Sequence, residues 1–338
     1  MNSNYRKALY WEQYSDGVKC KLCPHECIIK NGQSGICKSR INIDNILHTK
    51  AFGNICSASI DPIEKKPLFH FLPSTKTFSI AIEGCTFHCL NCQNFLISQT
   101  EPTEISKYNL TPTKVVEFAL KNNCNSISFT YSEPVVFYEY MLETAILAKQ
   151  SGIKTVMISN GYINNIPLLE ISKYLDAANI DLKCFDEYIY KKLTGGKLNS
   201  ILETIKTLKE KGVWLEITNL IIPQWTDNLS SIREMCKWLF KNNLSEVPLH
   251  FSRFYPTYKL IDIPHTNPET INSAIEIAKE EGLKYVYTGN IANENNEDTF
   301  CTFCNKLLVK RSGFSVIENY ILSGKCKYCN NEVKGIWS

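Results

Sequence analysis

Long apolar runs are missing from this chain. Nothing in its 338 residues approaches the stretch of about 20 apolar residues that crosses a bilayer. The opening Met1-Asn-Ser-Asn-Tyr-Arg-Lys lacks the apolar core of a secretory signal, so the expected location is cytoplasmic. An excess of one charge is missing too. Lys and Arg number 37 against 34 Asp and Glu, and the net charge of +3 forms no basic stripe. That balance argues against nucleic acid or a membrane surface as partner. No Gly-x-Gly-x-x-Gly follows the first strand-like run, which weakens a dinucleotide-binding reading.

Cysteine, by contrast, is plentiful. Fifteen would suggest a disulfide framework in a secreted protein, but in a reducing compartment metal or catalysis is the better reading. They sort into three sets, leaving Cys56, Cys124, Cys184 and Cys236 over. Cys20, Cys23, Cys27 and Cys37 are spaced C-x2-C-x3-C-x9-C in a turn-rich stretch, with Gly32 and Gly35 permitting a tight backbone. Four thiolates serve either zinc or an auxiliary iron–sulfur cluster, and zinc is the preferred reading. The tail carries Cys301-Thr-Phe-Cys304 and Cys326-Lys-Tyr-Cys329 around a β-rich run, the pattern of a zinc ribbon. Asn305 and Asn330 follow its knuckles, where asparagine tolerates the left-handed backbone required.

Between these ends, strand-like runs alternate with helix-like ones. The strands are Phe78–Ile82, Ser126–Tyr131, Thr155–Ser159, Ala177–Lys183, Trp214–Ile222, Pro248–Phe254 and Tyr285–Thr288. Helical stretches include Thr111–Lys121, Val136–Gln150, Ile166–Tyr174, Ser200–Lys211 and Ser230–Lys241. Such alternation predicts an α/β fold with a parallel sheet, either closed towards a TIM-like barrel or open and doubly wound. The domains expected are an N-terminal cysteine module with a connector (1–75), the α/β body (76–295) and the ribbon (296–338).

The remaining set, Cys85, Cys89 and Cys92, sits in Glu83-Gly-Cys-Thr-Phe-His-Cys-Leu-Asn-Cys-Gln-Asn94, directly after the first strand. It lacks a fourth cysteine. Three thiolates leave one corner of a cubane cluster open to a substrate or cofactor, whereas full ligation leaves only electron transfer. Taken alone, the residues fit equally a zinc site completed by His88. The longer pattern adds Asp61-Pro-Ile-Glu-Lys-Lys-Pro-Leu-Phe-His70-Phe, Phe129-Thr-Tyr-Ser-Glu-Pro134, Ser159-Asn-Gly161, Asp181-Leu-Lys183 and the two tail knuckles. Together these resemble the radical S-adenosylmethionine (SAM) component of the AmmeMemoRadiSam system, related to pyruvate formate-lyase activating enzymes. The resemblance covers nearly the whole chain and favours the cluster over zinc. One departure is Asn91, where the family usually has an aromatic residue lying against the SAM adenine.

The resemblance implies a partial (β/α)6 barrel, a [4Fe–4S] cluster, SAM, a low-potential electron donor, and Memo-like and AMMECR-like partner proteins. Barrel chemistry gathers at the carboxyl ends of the strands, and the motifs fall there. On this reading Glu133 accepts from the SAM ammonium, while Ser159 and Asn160 offer neutral groups to its ribose or carboxylate. Asp181 and Lys183 share a strand face and either pair with each other or touch SAM; Arg253 is a SAM or substrate contact. Glu64, Lys65, Lys66 and His70 are a weaker possibility against a plain connector, His250 is held loosely, and Cys184 is read as packing. Hydrogen abstraction from an unidentified substrate is the leading function. The rivals are installation of a glycyl radical in a partner protein and a non-catalytic zinc-ribbon binding protein.

Overall fold

The computed structural model describes residues 5–102, 108–291 and 297–338. Its centre is an eight-stranded sheet: β1 (Ser57–Pro62), β2 (Lys76–Ala81), β3 (Ser126–Phe129), β4 (Lys154–Ser159), β5 (Ala177–Asp181), β6 (Trp214–Ile221), β7 (Leu249–Arg253) and β8 (Val286–Gly289). Strands β2 to β8 run parallel in sequential order, and β1 joins β2 antiparallel with Ser57 opposite Ala81. The order never reverses. A doubly wound sheet needs a reversal, so the doubly wound alternative left by the sequence is excluded.

Both faces of the sheet are covered. β3 is buried throughout, and β4 and β5 nearly so. Each crossover uses amphipathic helices, among them α1 (Pro112–Lys121), α2 (Tyr138–Gln150), α3 (Asn165–Ile171), α4 (Glu187–Thr194), α5 (Leu198–Glu210), α6 (Leu229–Lys241) and α7 (Pro268–Glu280). Local chemistry sets several starts. Thr111, Asp186, Asn228 and Asn267 cap α1, α4, α6 and α7 through their side chains. No helix among the described residues is long and apolar enough to cross a membrane.

Before the sheet lies a pair of three-stranded antiparallel sheets, one formed by Arg6–Lys7, Ile46–Thr49 and Arg40–Ile43, the other by Trp11–Tyr14, Gly17–Cys20 and Ile28–Ile29. Arg40 is buried there, bonded to the Leu9 carbonyl at 2.7 Å and paired with Glu139 of α2. A pair left half-made at such depth would cost several kcal/mol, so the module is locked to the body.

The tail contributes β9 (Thr299–Phe300), β10 (Leu307–Ser312) and β11 (Ser315–Asn319). It docks on the connector. Leu72 N–H bonds the Ile336 carbonyl at 2.7 Å, Ile336 N–H bonds the His70 carbonyl at 2.8 Å, and Arg311 donates to the Phe69 carbonyl at 2.8 Å. His70 also reaches the Lys334 carbonyl at 2.6 Å and Tyr287 Oη at 2.5 Å. Glu216 accepts from the Phe69 and His70 N–H groups and bonds His250 at 2.7 Å. Glu216, His250 and Tyr287 lie near the amino ends of β6, β7 and β8, so the ribbon closes the end of the sheet away from the cysteine loop.

Candidate active site

The loop after β2 begins with Gly84 at φ 106°, where a Cβ would stand 2.5 Å from Ser39 Oγ and 3.0 Å from the Cys37 carbonyl. Glycine is required there by both conformation and space. The loop then lies along the end of α4, with His88 and Leu90 N–H groups bonding the Thr194 and Leu193 carbonyls at 3.0 Å. Gly196 makes room for the Phe87 ring, which a Cβ there would meet at 2.2 Å. These contacts fix Cys85, Cys89 and Cys92 at the carboxyl end of β2.

Around the trio stand the ends of β3, β4 and β5. Asn160 directs Nδ2 to Thr86 Oγ1 at 3.0 Å and to Cys85 Sγ at 3.7 Å, while its Oδ1 accepts from Tyr162 N–H. Glu133 accepts from Ser159 Oγ at 2.6 Å, Asn160 N–H at 2.9 Å and Val135 N–H at 3.1 Å. Its carboxylate therefore caps the turn starting at Pro134 and clamps the ends of β3 and β4 together. Burial raises its pKa to about 7 even though all three donors pull it down. Lys183 bonds Asp181 at 2.9 Å, the ion-pair option of the two the sequence left open. Burial opposes the lysine charge, yet Asp181 and the nearby Cys89 and Cys92 raise its pKa overall.

Arg253 stands apart from this group. Its guanidinium bonds the Thr266 carbonyl at 2.7 Å and lies over Tyr255. His250 belongs to the buried network around Glu216, not to the loop. Of the connector residues, Glu64, Lys66 and His70 are buried and Lys65 is exposed. Lys66 is buried on Asp61 at 2.8 Å, Lys65 bonds the same carboxylate at 2.9 Å, and Glu64 accepts from Ser74 N–H. Cys184 is buried in the core. One contributor was not anticipated: Thr86, the partner of Asn160. Asp61, which receives the Tyr131 hydroxyl at 2.5 Å, lies opposite Thr77 towards the amino end of β2. Tyr131 sits at φ 68°, a conformation rare outside glycine, at the end of β3.

The donor set fits a cluster better than a compact zinc site. His88 bonds Gln99 at 2.6 Å instead of joining the cysteines. Among the described residues, only the tail set brings three or more ligand atoms within 4.8 Å of one another. There Cys301 and Cys329 lie 3.6 Å apart, and Cys304 and Cys326 3.7 Å, the spacing of sulfurs around one tetrahedral ion. Asn305 at φ 54° and Asn330 at φ 60° take the left-handed backbone expected after its knuckles. At the central trio, burial pushes Cys89 up to about 12 and Cys85 well above the usual thiol range. Such thiols become thiolates when a metal takes up their charge. None of the fifteen cysteines forms a disulfide.

Sequential parallel strands with a three-cysteine loop at the end of the first of them make this an α/β protein with its candidate site at the carboxyl end of the sheet. The profile of the radical SAM superfamily matches residues 79–239, so the chain carries a domain of that superfamily. It is 45% identical to an uncharacterised protein of Methanocaldococcus jannaschii, over 97% of this chain and 98% of that one. Pyruvate formate-lyase-activating enzyme of Clostridium pasteurianum is 26% identical over 60% of this chain and 89% of its own. The 4-hydroxyphenylacetate decarboxylase activating enzyme of Clostridium scatologenes is 29% identical, but the chain spans only 54% of its length and 49% of this chain is matched. Among solved structures, Streptococcus suis SuiB bound to S-adenosylmethionine superposes with a TM-score of 0.50 at 16% identity, covering 71% of this chain and 56% of that one. That likeness concerns the fold. Membership implies a [4Fe–4S] cluster and SAM, and the trio supplies suitable ligands.

Proposed function

We propose that the chain generates a 5′-deoxyadenosyl radical at Cys85, Cys89 and Cys92 and uses it to abstract hydrogen from a substrate presented at the carboxyl end of the sheet. The observation that carries the reading is the trio: three thiols and no fourth, spread wider than a zinc set, with Asn160 bonded to the first. When bound there, a [4Fe–4S] cluster supplies one electron to SAM, which divides into methionine and the radical. The chain's own part is to orient and to exclude water. Asn160 and Thr86 hold Cys85 in place. Lys183, backed by Asp181, keeps a positive charge beside Cys89 and Cys92. Glu133 positions Ser159 and Asn160, and its remaining lone pairs can accept from the SAM ammonium. Ser159 and Asn160 are the neutral SAM contacts, and Arg253 a contact farther out on the substrate side.

Uniformly right-handed crossovers between sequential strands would put the helices on one side, so a partial (β/α)6 barrel is part of the proposal. Zinc in the tail quartet is another part, supported by its spacing. Two of the named relatives are activating enzymes, which supports a protein partner; the family resemblance points to Memo-like and AMMECR-like proteins in that role. The test is anaerobic turnover with those partners and a deuterated extract. Deuterium appearing in 5′-deoxyadenosine only when partners are present supports the reading. Deuterium entering from a glycine of an added protein would assign the glycyl-radical alternative instead.

A further inference from the structure

Cys20, Cys23, Cys27 and Cys37 have no part in the proposed reaction, yet all four line one cavity. Sulfurs around a single ion bonded at about 2.3 Å stand about 3.8 Å apart and leave no room between them. The tail quartet has that spacing, at 3.6 and 3.7 Å. The N-terminal quartet does not bring three sulfurs within 4.8 Å of one another, and nor does the central trio. A cubane bonds each thiolate to a different iron and so holds its sulfurs wider apart than one ion does. The molecule thus carries its own standard for comparison, two spread sets and one tight set. The N-terminal quartet belongs with the spread trio.

Its surroundings fit the same group. Val135 and Val136 wall the cavity, and Arg40 enters it with Nη1 3.7 Å from Cys20 Sγ. Its guanidinium stays charged at any working pH and, while paired with Glu139, still turns a donor to the Cys20 sulfur. The cavity also abuts the cysteine loop. Thr86 forms part of its wall, His25 Nε2 lies 2.8 Å from the Thr86 carbonyl, and the Cys37 carbonyl presses on Gly84, the residue before Cys85.

We infer that the N-terminal quartet holds a second iron–sulfur cluster, set directly against the loop that carries the first. The comparison of spacings rests on the central trio holding a cubane. The position suits a one-electron relay. A low-potential electron-transfer protein loses one electron, the N-terminal cluster passes from 2+ to 1+, and it returns to 2+ as the central cluster is reduced.

The test uses full-length protein purified anaerobically, with Cys85, Cys89 and Cys92 all replaced by alanine. That variant should keep about four irons and four sulfides per chain, against about eight of each in the wild type. Dithionite reduction should give it a simple paramagnetic signal, whereas the wild-type spectrum should be broadened by two neighbouring reduced clusters. A variant holding a second zinc ion and no iron overturns the inference. A wild-type spectrum equal to the sum of two isolated signals overturns the adjacency. Should the wild type and the variant hold the same four irons, it is the central site that fails and the N-terminal cluster that stands.

Discussion

Glu133 is 2% exposed and holds three donors from two strand ends. Glu133→Gln keeps the shape but turns an NH2 group towards a donor, leaving buried polar atoms unpaired. The expected cost is about 1–3 kcal/mol of stability, read by urea denaturation of cluster-free protein; an unchanged midpoint would return Glu133 to a purely ligand-binding role. His70 gives a pH prediction. Burial lowers its pKa from 6.5 to about 4, so the unfolded chain binds the proton first. The His70 contribution is therefore complete above pH 6.5 and is lost as pH falls towards 4, roughly 3 kcal/mol over that window. His70→Gln, which can still bond the Lys334 carbonyl and Tyr287, should lose less stability than the wild type across the same range. Parallel curves would refute the assignment. The sequence pointed to Glu133, Ser159 and Asn160 as site residues, but not to their bonding with one another. Glu133 and Ser159 are 26 positions apart, and only the sheet brings them together.

At the scale of elements, the parallel strands were legible as short runs rich in apolar and β-branched residues that alternate with helical stretches, as in Thr-Val-Met-Ile-Ser over 155–159. The edge strand Ser57–Pro62 was not. It is half-exposed, carries polar residues and ends in proline, all of which fit an edge and none of which marks a strand. Helices Glu187–Thr194 and Pro268–Glu280 were not among the stretches read, although Asp186 and Gly195 bound the first and Asn267 caps the second as ordinary cap residues. The ribbon was legible from its knuckles, but where it docks was not, since its contacts on Phe69 and His70 lie far away in sequence. Cys326→Ser should release the tail metal and speed amide exchange in residues beyond Phe300, with the iron content unchanged. Because the ribbon docks at the amino ends of the strands, SAM cleavage without substrate should persist. Its loss with all iron retained would tie the ribbon to the active site.

For the whole molecule, the three cysteine sets divide the work. The tight tail set holds a docking unit at the amino end of the sheet, the spread N-terminal set is locked to α2 through Arg40 and Glu139, and the trio occupies the loop between that N-terminal set and the carboxyl ends of the strands. The trio carries the account, and it can be tested without knowing the substrate. Anaerobic, iron-loaded protein supplied with SAM and dithionite should yield 5′-deoxyadenosine and methionine in equal amounts. Replacing Cys85, Cys89 and Cys92 by alanine should abolish both products while leaving the tail metal in place. Undiminished 5′-deoxyadenosine from the triple variant would contradict the account.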